Sequence, residues 1–193
     1  MGDEHEKNIN TKNKGTQSWG ANIFTAKSNE LLKTVSSYTT DSSCNYDIYI
    51  DPVSGSTNQN DQVFSKNESA SVAGYYIIPL DFDIWLTVSQ NFSVVLNLTN
   101  LEYGYPIAIE GPLSGDDIDS SKATANSGKG FISSSEGTWE DIAIDFPNTN
   151  VCIKAFIDSY ISEFLGYTNP PADSDHVVSM RISMETEKWI LIM

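Results

Sequence analysis

The segment from Asn91 to Thr99 alternates strictly, with Phe92, Val94, Leu96 and Leu98 on one face and Asn91, Ser93, Asn97 and Thr99, with Val95, on the other. A period of two is the signature of a half-buried antiparallel strand, and a helix at 3.6 residues per turn would scatter those four apolar side chains. Similar short runs recur along the chain. SWGANIFTA begins at Ser18, and LLKTVSSYTT and NYDIYID follow. A loop rich in Gly, Pro, Asn and Asp, DPVSGSTNQNDQ, separates these from GYYIIPL and DIWLTVSQ. NFSVVLNLTN, PIAIEG, GKGFISSS and NVCIKAFI bring the number to roughly nine strands, with turn signals spaced as in a sandwich or jelly roll. The pattern predicts an all-β fold, an antiparallel, jelly-roll-like β-sandwich. Its expected bounds are 18–158, after a polar leader or linker over 1–17 without periodicity. The tail, 159–193, fits the sandwich less well. SYISEFLGY reads as a helical turn, TNPPADSD as a breaker, and HVVSMRISM and EKWILIM as strands.

Composition agrees with short strands. Apolar residues make up 39% of 193, enough for a core, and charged residues only 19%. The net charge of −15 excludes nucleic acid as a partner, because that affinity rests on Lys and Arg meeting phosphates. It disfavours anionic lipid surfaces equally and is otherwise read either as a solubility feature or as a surface built for high salt or divalent cations. The N-terminal segment has no apolar stretch, and the longest C-terminal run, WILIM, is far below the roughly 20 residues of a membrane span. The chain is therefore expected to lack a transmembrane segment and to be soluble, and it is compatible with a piece of a longer exported protein.

The residue types that carry nucleophilic catalysis are scarce. The two histidines, His5 and His176, lie in the leader and the tail. Ser-His-Asp and Cys-His mechanisms need an imidazole base, so no catalytic residue is assigned. Cys44 and Cys152 form no CxxC pair. Their strand parities differ, which leaves a disulfide undecided. The Gly-Lys-Gly at 128–130 departs from a phosphate loop at Ala123 and Gly130 and reads as a turn. Carboxylates are plentiful, with Asp81 and Asp83 flanking Phe82, so a carboxylate-driven glycosidase remains an alternative requiring a cleft. Asp116, Asp117 and Asp119 crowd one loop. They are either a calcium site without EF-hand spacing or a solvated acidic loop.

Aromatic residues are the other candidates, because sugar rings stack on flat aromatic faces while Asn and Asp take the hydroxyls. Tyr103 and Tyr105 lie in EYGYP and Trp139 in SSSEGTWED. Trp85 is opposite in parity to Ile84, Leu86 and Val88, and so faces outward. The competing reading gives these rings to the core or to turn bracing. Three glycosylation sequons begin at Asn67, Asn91 and Asn97, the last two off the apolar face of their strand, where glycans fit.

The series WGANIFTA (19–26), VSSYTT (35–40), YDIYI (46–50), AGYYIIPL (73–80), FSVVLNL (92–98), YPIAIE (105–110), SSKATAN (120–126) and NVCIKAF (150–156) resembles the lectin-like domain that follows papain-like cysteine peptidase domains in surface proteins of methanogenic archaea and some anaerobic bacteria. The resemblance covers about residues 18–157. It implies a β-sandwich, an extracellular or cell-surface setting and a binding role, with a glycan or cell-envelope polymer as the ligand. It also implies a structural role for Cys152 and a cysteine peptidase domain as the other partner. The function expected is a non-catalytic binding module. The alternative is an interaction module packing against a peptidase domain or a surface-layer partner, which an apolar patch near WGANIFTA would favour.

Overall fold

A computed structural model describes residues 16–51, 62–112, 124–134, 138–159 and 190–192. Three consecutive strands, β1 (Gln17–Thr25), β2 (Glu30–Thr39) and β3 (Cys44–Asp51), are followed by β4 (Phe64–Ala70), β5 (Gly74–Leu86) and β6 (Asn91–Thr99). The later strands are short: β7 (Ile109–Glu110), β8 (Gly130–Ser133), β9 (Glu140–Asp141), β10 (Asn150–Val151), β11 (Lys154–Ser159) and β12 (Ile190–Ile192). One helical turn, α1 (Ile142–Asp145), starts on the carboxylate of Asp141, which accepts from Ala143 N. No helix among the described residues is long and apolar enough to cross a membrane.

The strands form an antiparallel six-stranded sheet, β4-β3-β6-β1-β8-β9, a four-stranded sheet, β12-β11-β2-β5, and a β10-β7 ribbon. One apolar core joins the inner faces of the two sheets. Ile48, Ile50, Phe92, Val94, Leu96 and Leu98 meet Leu32, Val35, Ile78, Ile84, Leu86, Ala155 and Ile157. The chain is thus an all-β sandwich, as its alternation predicts.

Six strands cannot be covered by four, and the β10-β7 ribbon with α1 closes the difference. Ile107, Val151, Ile153, Ile142 and Phe146 belong to the same core. Gly20 permits the approach, since a Cβ there would stand 3.0 Å from Ile107 Cγ2 and Val151 Cγ1. The buried Asn22 side chain donates to Val151 O at 2.9 Å and Ile153 O at 3.2 Å, taking up carbonyls at the point where the ribbon turns into β11. That turn interrupts NVCIKAFI at Cys152, so the expected single strand is two.

Two other expectations change. β4, FSKNESA, is a strand that the pattern does not suggest: only its end residues, Phe64 and Ala70, are apolar and buried. GYYIIPL and DIWLTVSQ belong to one strand, β5. Its register against β2 shifts between Leu32 (opposite Ile84) and Thr34 (opposite Pro79), so residues 80–83 bulge opposite Lys33 alone. Lys66 of β4 holds the bulge, donating to Pro79 O and to Asp81, and Phe82 packs edge-on against Phe64. Val88 is exposed in the following turn and does not continue the inward parity of Ile84 and Leu86.

Candidate functional site

At one end of the sandwich, the loop after β6 carries two tyrosines on a braced backbone. Asp41, buried just after β2, accepts from Glu102 N at 2.9 Å and Tyr103 N at 3.0 Å. Those N–H groups hold its carboxyl below the ordinary carboxylate range. Thr40 Oγ1 donates to Tyr105 O and Pro106 O, and it accepts from the buried Asn100, which also donates to Tyr103 O. The backbone carrying the rings is therefore fixed on both sides of Gly104. Tyr103 is 50% exposed, Tyr105 half-buried, and their rings meet edge-to-face with centroids 5.5 Å apart.

A second tyrosine pair lies at the same end. Tyr38 of β2 stands opposite Tyr75 of β5, with ring centroids 5.0 Å apart, and both are exposed. Tyr75 OH donates to Ser36 Oγ at 2.7 Å, which fixes the ring on the sheet. Tyr38 is two residues before Thr40, the residue that anchors the Tyr105 backbone, so the end of β2 and the residues just after it support both pairs. Parity alone singles out Tyr38, because its neighbours Ser37 and Thr39 are buried, but a tyrosine inside a strand is easily passed over for those on loops.

The other candidates lie elsewhere. Trp85 is 46% exposed on the outer face of the four-stranded sheet, with Ile84 and Leu86 buried beneath it, as its parity predicts. Trp139 is half-buried on the outer face of the opposite sheet, packing with Tyr49 and Phe131 against the buried Trp19, Ala21 and Val95. The four aromatic candidates do not converge on one patch. Tyr103 and Tyr105 come together, while Trp85 and Trp139 occupy opposite faces. The apolar residues of WGANIFTA are likewise not an open patch, since Trp19 and Ala21 are buried.

Asp116, Asp117, Asp119, His5 and His176 lie outside the described residues. Among the described carboxylates, many have structural partners. Asp141 accepts from Ser127 and Gly128 N as well as capping α1, making 127–129 a turn that leads into β8 at Gly130. Glu30 closes the 27–30 turn, Asp81 binds Lys66, and Asp158 and Glu110 pair with Lys33 and Lys154. Asp47 accepts from Asn67 at 2.5 Å and Asn97 at 3.3 Å. Asn97 is only 6% exposed, so its sequon cannot carry a glycan in the folded chain, against the expectation from parity. Asn67 and Asn91 are exposed. Cys44 and Cys152 are free thiols. Burial pushes Cys44 up to about 11 and Cys152, with Glu110 beside it, up to about 12, so both are protonated at neutral pH and poor nucleophiles.

Comparison with known proteins agrees with this architecture. The family model described as a lectin-like domain matches residues 6–157. The crystal structure of the cysteine protease and lectin-like domains of Cwp84, a surface layer associated protein of Clostridium difficile, matches with a TM-score of 0.58 and 24% identity over 75% of this chain. A variant of the clostridial cysteine protease Cwp84 after propeptide cleavage matches with a TM-score of 0.58 and 22% identity over 76%. This chain spans 33% and 37% of those two chains. No curated protein matches it.

Proposed function

The chain belongs to the lectin-like domain family, and on that premise we propose that it is a non-catalytic, cell-surface module that binds carbohydrate. The observation that carries the reading is the tyrosine end: two ring pairs, Tyr103–Tyr105 on a loop fixed by Thr40, Asp41 and Asn100, and Tyr38–Tyr75 held across the β2–β5 pairing. Tyrosine offers an apolar face to the C–H side of a sugar and a phenol to its hydroxyls, and it loses little entropy when bound. Fixing the loop beforehand lowers the ordering cost of a weak, polar ligand. The non-catalytic part is supported by the two protonated thiols and by carboxylates committed to lysines and backbone N–H groups.

Retention of the chain on envelope polysaccharides and binding on a glycan array test this reading. Binding is expected, and a Tyr38→Ala, Tyr103→Ala double variant that still folds should lose it about tenfold or more. No retention on any polysaccharide would overturn it.

The similarity to the Cwp84 structures, in which protease and lectin-like domains share a chain, favours a second reading, that the domain packs against a cysteine peptidase domain. Comigration of the chain with such a domain on sizing would support it, and independent migration would argue against it.

A further inference from the structure

We propose that the carbohydrate site continues from the tyrosine end down the outer face of the four-stranded sheet to Trp85, and that its ligand is an extended, uncharged polysaccharide strand; this rests on the carbohydrate reading above. The two ends of the track are fixed by strand register. Tyr38 pairs with Tyr75, and Leu31 pairs with Trp85. The seven residue steps of β2 from 31 to 38 place the tyrosine pair and Trp85 about 23 Å apart, at roughly 3.3 Å per step. One or two sugar rings do not bridge that distance, but a chain of several does.

Between the two ends the face suits such a chain. Ile77 and Pro79 are exposed opposite the buried Ser36 and the half-buried Thr34, so apolar surface runs between the two ends, with the Ser36 hydroxyl engaged by Tyr75 OH. Outward side chains of neighbouring strands stand side by side along the track, which passes the 80–83 bulge between Pro79 and Trp85. The exposed Ile77 and Pro79 add apolar surface and no charge to this face.

Charge selects the class of polymer. The chain carries −15, yet among the described residues this face is nearly balanced: Lys33 pairs with Asp158 and Lys154 with Glu110, leaving Asp83 in the bulge, two residues from Trp85. A polyanionic polymer meets the field of the whole protein and finds no free lysine cluster on the track among the described residues. An uncharged polymer meets neither obstacle, and Asp83 is a carboxylate of the kind that accepts sugar hydroxyls. A site of this form gains affinity with ligand length, because each further ring adds contact without a second loss of translational freedom.

The test is calorimetric titration of the full chain with soluble oligosaccharides of chitin and of cellulose, from two to six rings, beside the Trp85→Ala variant. Affinity is expected to rise with length. Trp85→Ala should weaken binding of the six-ring ligand about tenfold while leaving the two-ring ligand unchanged. Equal affinity at all lengths, or a length dependence that survives Trp85→Ala, would remove the track and leave the tyrosine end standing. Failure to bind any of these oligosaccharides at any length overturns the proposed track, and the carbohydrate reading falls with it if envelope polysaccharides also fail to retain the chain. Sedimentation of the same two proteins covers the other occupant: a dimer that dissociates on Trp85→Ala would assign the face to a second copy and overturn the proposal.

Discussion

On the outer face of the six-stranded sheet, Trp19, Ala21 and Val95 are buried, and Tyr49, Phe131 and Trp139 pack around them. On the outer face of the four-stranded sheet, Tyr38, Tyr75, Ile77 and Trp85 stay in contact with solvent. Strand parity puts all of these side chains outside, and yet only one set is available to a ligand. Pointing away from the core and being accessible are thus separate properties. The first is local and follows from a period of two. The second depends on what else lies over the strand, which neither parity nor propensity records.

The largest expected consequence of the difference is in stability. Trp19→Ala removes a side chain that is 7% exposed and stacked on Tyr49 at 6.0 Å, and it should cost about 3 kcal/mol. Urea denaturation would show this as a lower midpoint at unchanged slope. If Trp19→Ala were no more costly than an exposed substitution on the other sheet, the outer cluster would not be a second core, and the contrast between the faces would fail.

How far the sequence carries the fold depends on the strand. β6 was legible because Phe92, Val94, Leu96 and Leu98 are all buried in the core and their alternation is unbroken. β4 was not, because the five residues between Phe64 and Ala70 face an edge and stay polar. β5 looked like two strands because Asp81-Phe82-Asp83 has the composition of a turn. Only the pairing with β2 and the Lys66 bonds make it a bulge within one strand. The site is legible to the same partial degree. Tyr103 and Tyr105 stand out beside Gly104 and Pro106. The ring pair completing that end, Tyr38–Tyr75, is brought together by strand register across 37 residues (38 to 75), which no local pattern encodes.

The end where the two faces meet provides a sharper and smaller test. Asp41 ties the β6 loop to the β2–β3 turn through the N–H groups of Tyr103 and Glu102, which lower its carboxyl below the ordinary value of 3.8. A depressed folded value means that the stabilisation is complete above the unfolded value and is lost as pH falls through the folded one. The amide resonances of Glu102 and Tyr103 should therefore hold constant from neutral pH down to about 4 and move together only below it. Asp41→Asn should abolish that acid-side transition and loosen the loop at pH 7. A transition that survives the substitution would show that another group anchors the tyrosines, and the preorganised platform would lose its stated cause.

The smallest expected effect is the stability change of Trp85→Ala. With its ring 46% exposed on an edge strand, the variant should lie within about 0.5 kcal/mol of the wild type, far from the cost at Trp19. The edge does not depend on Trp85 for protection, since Pro79, the bulge at 80–83, and the charges of Asp81 and Asp83 already spoil strand addition there. A near-zero result, measured by the same denaturation as Trp19→Ala, separates the ring's cost to the fold from any role in recognition, so that lost oligosaccharide affinity could not be put down to a damaged sandwich. A destabilisation as large as that of Trp19 would mean that the tryptophan is covered in solution. The four-stranded sheet would then be no more open than its partner, and the polymer track would have no surface to lie on.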